Sequence, residues 1–290
     1  MYAIRILNVL LMIFLPIGLA FYIKLKFKFN WYLWWLGGGV FVLSQIGHIP
    51  FNYFSSLILN KTSMVYWPQV YRTIFNALFL GLSAGLWEEA ARYSAFRWWV
   101  GKKRSWSKGI QLGAGHGGFE SIILGLLGLY TFIQMVAVKN IDISTLVPPD
   151  QLSKTFGAIT TYWTTAWYDT LLGAIERALT LPIQIALSVI VLQVFIRKKS
   201  IWIWIAILLH TAVDTTAVLF MTYSNVYLAE ITVALYSIIS VWIIFVLKSP
   251  EPYGEESGGN KLVLVSFQDN KEKILEIDES SENLDETKYQ

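Results

Sequence analysis

The stretch Ile201–Thr222, IWIWIAILLHTAVDTTAVLFMT, decides the class of fold. It is long enough to cross a bilayer as a helix, which needs about 20 mostly apolar residues. Yet it carries His210 and Asp214 in its middle. An ionisable side chain at that depth costs roughly 3 kcal/mol or more, so its presence marks a polar interior.

Working outward, six more segments read as spans: Ile4–Ile23, Trp31–Gly47, Thr73–Trp98, Gly109–Val138, Leu171–Ile196 and Val226–Leu247. The second is short and is read as continuing into an interfacial helix through Phe51–Leu59. The composition agrees. Charged residues make up 15% of the chain and mean hydropathy is +0.49, against about 25% charged in soluble domains. The expected fold is an all-α, polytopic transmembrane bundle of about seven spans. Two regions are expected: a membrane domain over 1–249 and an acidic, largely disordered cytoplasmic tail over 250–290. The tail carries eleven acidic and four basic residues, a net of −7, which leaves +10 for the rest of the chain. Within it, Lys261–Phe267 has the composition of one short strand.

Lys and Arg set the orientation. Lys24, Lys26 and Lys28 follow the first span. Arg97, Lys102, Lys103, Arg104 and Lys108 separate the third from the fourth, Arg197, Lys198 and Lys199 the fifth from the sixth, and Lys248 follows the last. Seven spans, with the N-terminus outside and the C-terminus inside, put all of these on the cytoplasmic side. The positive charge therefore speaks to topology and anionic lipid, with no nucleic-acid partner implied. The polar stretch Asn140–Tyr168 reads as an outside loop followed by an interfacial helix bearing Tyr162, Trp163 and Trp167. There are no cysteines, which excludes disulfides, thiolate zinc sites and cysteine nucleophiles.

Three polar groups sit inside the spans. They are Glu88-Glu89 with Arg92, His116 with Glu120, and His210 with Asp214. A spacing of four puts two residues on one helix face. Counted from the expected inner boundary, Glu88, His116 and His210 lie nine, seven and nine residues deep, so all three fall about 10–14 Å below it. A carboxylate in apolar surroundings can act as a general base toward water, and a neighbouring imidazole can stabilise an oxyanion or protonate a leaving amine. The pattern points to amide or ester hydrolysis. The glycines of Gly113-Ala-Gly-His-Gly-Gly118 serve either tight helix packing or room for a substrate beside the imidazole. Glu176-Arg177 reads as an interfacial salt bridge, and His48 as an interfacial residue.

At these residues the chain resembles a known group. Glu88-Glu89-Ala-Ala-Arg92, then Gly113-x-Gly-His-Gly-Gly-x-Glu120, then His210-x-x-x-Asp214 is similar to the YhfC family of intramembrane peptidases, itself similar to the CAAX prenyl proteases and CPBP proteins, the glutamate-dependent intramembrane proteases. The CAAX enzymes have three residues between the Glu pair and Arg where this chain has two. They have Phe at the position of Leu112, and usually Asn at the position of Asp214; these differences favour the YhfC group. The resemblance implies a membrane-embedded glutamic-type hydrolase in a prokaryotic plasma membrane, acting on a membrane-associated or transmembrane peptide. Glu88 or Glu89 would activate water, His116 and His210 would be the other catalytic groups, and Arg92, Glu120 and Asp214 would support them.

Other readings stay open at this point. The same chemistry could be run by zinc, with His116, Glu120, His210 and Asp214 as ligands, although HExxH is lacking and the reversed HxxxE is not a standard zinc spacing. A proton-coupled transporter would use intramembrane Glu, His and Asp as relays, but the chain shows no inverted repeat. A non-catalytic membrane binding protein would gain nothing from burying the charges.

Overall fold

The computed structural model describes residues 1–27, 31–101 and 104–250, together with the backbone of 263–265 and 274–276. Lys28, Lys102, Lys103 and the rest of the acidic tail lie outside the described residues.

Among the described residues the structure is all-helical apart from one strand pair. The long helices are α1 (Tyr2–Phe27), α2 (Tyr32–Leu59), α3 (Gln69–Ser94), α4 (Trp106–Val138), α7 (Leu172–Ile196), α8 (Ile201–Tyr223) and α9 (Val226–Val246). Between α4 and α7 lie the shorter α5 (Pro149–Thr164) and α6 (Trp167–Thr170). Each expected span has its long helix. Five of them, with α6 continuing into α7, combine length with a mean hydropathy of 1.8–2.4 over an 18-residue stretch. Helices α2 and α3 are long enough but fall short in hydropathy. Polar and glycine positions dilute α2, and Glu88, Glu89 and Arg92 interrupt α3.

The second span continues past Gly47 as expected: helix α2 runs unbroken through Pro50 to Leu59, so the segment read as interfacial belongs to the same helix. The polar Asn140–Tyr168 stretch holds one 3-10 turn, Ile143–Thr145, and then α5, none of whose residues is buried. In the separate C-terminal unit, the strand expected in Lys261–Phe267 is present as Val263–Val265, paired antiparallel with Ile274–Glu276.

Helix α7 lies at the centre of the bundle. From Ile183 to Gln193 every residue is buried, as befits a mostly apolar helix, with Gln184, Ser188 and Gln193 as the polar exceptions. It packs along α4 and α9, α3 packs along α8, and α4 also packs along α1 and α2. Elsewhere the exposed side chains are large and apolar, such as Leu126, Leu127, Ile238 and Phe245, which is the surface that lipid covers. One end of the bundle gathers the basic loops. Lys24 lies over Trp31 at 4.9 Å, Arg104 over Phe195 at 4.5 Å, Arg197 over Trp202 at 4.9 Å and Lys248 over Trp106 at 5.4 Å. Trp106 also donates to Ile244 O at 2.8 Å, tying the start of α4 to the end of α9.

Close helix approach sets how the site helices are turned. A Cβ on Gly115 would stand 2.1 Å from Trp34 O, and one on Gly37 would stand 2.2 Å from Leu112 O. Both obstacles are backbone, so α2 and α4 touch main chain to main chain. Gly113 meets the α7 backbone at Ile185 and Gln184 in the same way, which makes these glycines packing devices. Gly115→Ala is expected to cost at least the roughly 1–3 kcal/mol typical of overpacking, and to turn the next residue, His116, away from its partner. The thermal midpoint of purified protein measures the first effect; an unchanged midpoint would contradict the contact.

Candidate active site

Helix α3 supplies the acids. Arg92 follows Glu89 by three residues and Glu88 by four, so all share one face. The Arg92 guanidinium is fully buried and donates to Glu89 Oε1, while its Nη2 lies 3.4 Å from Glu88 Oε2. A third bond, to Gln184 Oε1, ties it to α7. Spacing alone pairs Arg92 with Glu88, but the tighter partner is Glu89. That leaves Glu88 the more weakly held by Arg92 of the two carboxylates.

Two imidazoles complete the cluster. His116 on α4 is fully buried, set edge-on to Phe41, and places Nε2 3.0 Å from Glu88 Oε2. His210 on α8 donates from Nδ1 to Glu89 Oε1 at 2.7 Å. Its Nε2 lies 3.8 Å from Glu88 Oε2 and 3.6 Å from Asp214 Oδ2. Three carboxylate oxygens thus surround one imidazole, and a ring protonated on both nitrogens satisfies them best. Buried polar groups otherwise need partners, and the cluster supplies most of them internally. His116 Nδ1, Glu89 Oε2 and Arg92 Nε have no partner among the described residues, so the cluster retains capacity to hold a water.

Not every sequence pairing forms. His116 and Glu120 are four apart but turn to different neighbours. Glu120 lies 2.5 Å from Arg177 Nη1 through one oxygen and accepts from Gln184 Nε2 at 2.7 Å through the other. Arg177 also binds Glu176 and is itself buried, so Glu176-Arg177 extends inward instead of standing as an isolated interfacial bridge. Asp214, with 39% of its side chain exposed, opens the cluster on the α8 side.

Sequence reasoning missed two amides. Gln184 bridges Arg92 and Glu120, and Gln45 on α2 donates to Glu88 Oε1 at 3.1 Å. The signal was present. An amide inside an apolar run is costly unless it is hydrogen-bonded, and Gln184 stands in LTLPIQIALSVIVL.

The chain matches the family described as YhfC intramembrane metalloprotease over residues 11–236. A Bacillus subtilis (strain 168) protein named "Uncharacterized membrane protein YhfC" is 28% identical over 238 residues, covering 79% of this chain and 90% of that protein. No solved structure matches the chain. With the family match spanning most of the helical region, all three polar motifs included, the chain belongs to the YhfC intramembrane metalloprotease family.

Proposed function

We propose that this chain is an intramembrane endopeptidase in which Glu88 activates the water that attacks a peptide carbonyl. One observation carries the reading: Glu88 is 6% exposed, within 3.0 Å of one imidazole and 3.8 Å of a second, in a chain whose family is described as proteolytic. Glu88 takes a proton from water, and the oxygen bonds to the carbonyl carbon. The oxyanion that forms is met by the Nε2–H of His210. As the C–N bond breaks, the proton held by Glu88 passes to the leaving amine. His116, donating from Nε2, holds the Glu88 carboxylate toward the pocket. Arg92 and Glu89 fix His210 and set the charge balance, and Asp214 faces the Nε2 that works.

The family description implies a metal. Catalytic zinc takes three protein ligands and keeps one position open. The set His116, Glu120, His210 and Asp214 does not come together. Arg177 and Gln184 take both oxygens of Glu120, and His116 faces Glu88 instead. Among the described residues no three His, Asp or Glu side chains form a group that could hold an ion. Arg92 further sets a fixed positive charge against both acids of α3, where it would repel a dication. As arranged, the set His116, Glu120, His210 and Asp214 does not fit a bound metal, and the steps above use the chain's own groups.

Substrate and orientation follow as part of the same reading. The cluster lies within the spans, below the end that gathers the basic loops, so the substrate is a membrane-embedded or membrane-associated peptide. The N-terminus faces outside and the C-terminus the cytoplasm of a prokaryotic plasma membrane.

The test uses the full chain in proteoliposomes with a fluorogenic peptide carrying an apolar segment. Cleavage is expected to survive chelation by o-phenanthroline, and metal analysis of the purified protein to find no stoichiometric zinc. Activity lost on chelation and restored by zinc would overturn the metal-free mechanism. It would leave the protease assignment standing.

A further inference from the structure

Helix α2 brings a second line of polar groups to Glu88. Gln45, His48 and Asn52 are spaced three and four apart and so share one face of the helix. Gln45 Nε2 donates to Glu88 Oε1 at 3.1 Å, and Gln45 Oε1 lies 3.3 Å from His48 Nδ1. On the far side of the ring, His48 Nε2 lies 2.8 Å from Asn52 Nδ2 and 3.1 Å from Ser83 Oγ. The hydrogens in this line can be placed by elimination. A carboxylate only accepts, so Gln45 must present its N–H groups to Glu88 and its carbonyl oxygen to His48. An amide oxygen also only accepts, so His48 must carry its proton on Nδ1. In a neutral ring the Nε2 lone pair then accepts from the Asn52 amide, whose buried Oδ1 has no partner among the described residues. Ser83 can give its hydrogen to Nε2 or to Leu80 O, 3.0 Å away. From Asn52 to Glu88, each N–H points toward the acid.

We propose that Gln45 and His48 are positioning residues for Glu88. Gln45, its amide oriented by a neutral His48 protonated on Nδ1, holds one Glu88 oxygen so that the other faces His116 and the water. The proposal rests on the reading of Glu88 as the general base. The line does not touch substrate. It acts through the rotamer and charge of Glu88, and successive hydrogen bonds in low-dielectric surroundings reinforce one another. The expectation of His48 as an interfacial residue does not capture this: the ring is half-buried and joined, through one amide, to the catalytic carboxylate.

Two measurements test it. The chain has three histidines, so ¹⁵N-histidine labelling of the full chain in lipid nanodiscs yields a spectrum that single substitutions can assign. The His48 ring is expected as the neutral Nδ1–H tautomer, with an Nδ1 shift that moves in Gln45→Leu. In the fluorogenic-peptide assay, Gln45→Leu is expected to lower kcat roughly 10- to 100-fold, the usual loss for removing a buried orienting hydrogen bond, with KM nearly unchanged. His48→Asn places an amide N–H where Nδ1 stands and should keep most activity. His48→Gln extends its amide past that position and should lose activity as Gln45→Leu does. A structural role alone would not rank these two in that order.

A His48 ring protonated on Nε2 alone in the unaltered chain overturns the proposal, and this measurement holds even where a variant fails to fold. Full kcat in Gln45→Leu beside an inactive Glu88→Gln sinks the proposal and spares the reading of Glu88. Full kcat in both sinks the two together.

Discussion

Glu88→Gln is expected to leave the helical bundle folded and to lower kcat for peptide cleavage by about 10²–10⁴-fold, the contribution typical of a general base. The substitution is nearly isosteric, so packing around a 6%-exposed side chain changes little. What is lost is the group that accepts a proton from water. A Gln amide also sets an N–H against His116 or the Gln45 amide, both of which now meet an acceptor. Glu89→Gln should behave differently. Glu89 is wholly enclosed and its Oε1 takes bonds from both Arg92 and His210, so its loss should disturb the balance of charge and the placing of His210. Steady-state kinetics with thermal midpoints on both variants makes the comparison. If Glu88→Gln cleaves as well as the unaltered chain, Glu88 is not the base.

Arg92→Met is expected to be the most damaging single change to stability. Arg92 is fully buried and reaches Glu89, Glu88 and Gln184, so removing it leaves two acids enclosed with their fixed counter-charge gone. Removing one partner of a buried pair costs about 3–5 kcal/mol, mostly the penalty of the charge left behind. The midpoint of denaturant unfolding in micelles should fall accordingly, with activity lost as His210 loses its setting. The double variant Arg92→Met with Glu89→Gln should recover part of that stability, since one uncompensated charge is gone. Strict additivity of the two single effects would show that the residues are not coupled and would contradict the contact.

Much of the fold was legible because its signals are local. Ile201–Thr222 declares a span by length and apolarity, and Lys248 and Arg197 mark helix ends where aromatics now receive them. The continuation of α2 past Gly47 has a plain cause. Polar residues around His48 and Pro50 resemble a boundary, yet they stay helical because Gln45, His48 and Asn52 find partners among themselves and on α3. The three polar motifs were legible as costly exceptions to an apolar background. Their partners were not: His116 reaches Glu88 on another helix and leaves Glu120 to Arg177, although spacing put His116 and Glu120 on one face.

From the sequence alone one could obtain the all-helical membrane class, the placing of each long helix and the positions of Glu88, His116 and His210 along them. Each of these follows from the free energy of transfer to lipid and from helix rise, and both act residue by residue along the chain. Which carboxylate meets which imidazole needed the tertiary structure. Glu88 and Glu89 point about 100° apart on α3, so the choice rests on how that helix is rotated against its neighbours. Backbone contacts set such rotations: Gly37 and Gly115 between α2 and α4, and Gly85 of α3 against Ile207 O of α8. The two surfaces of each contact lie far apart in the chain, and only their packing turns Glu88 toward His116.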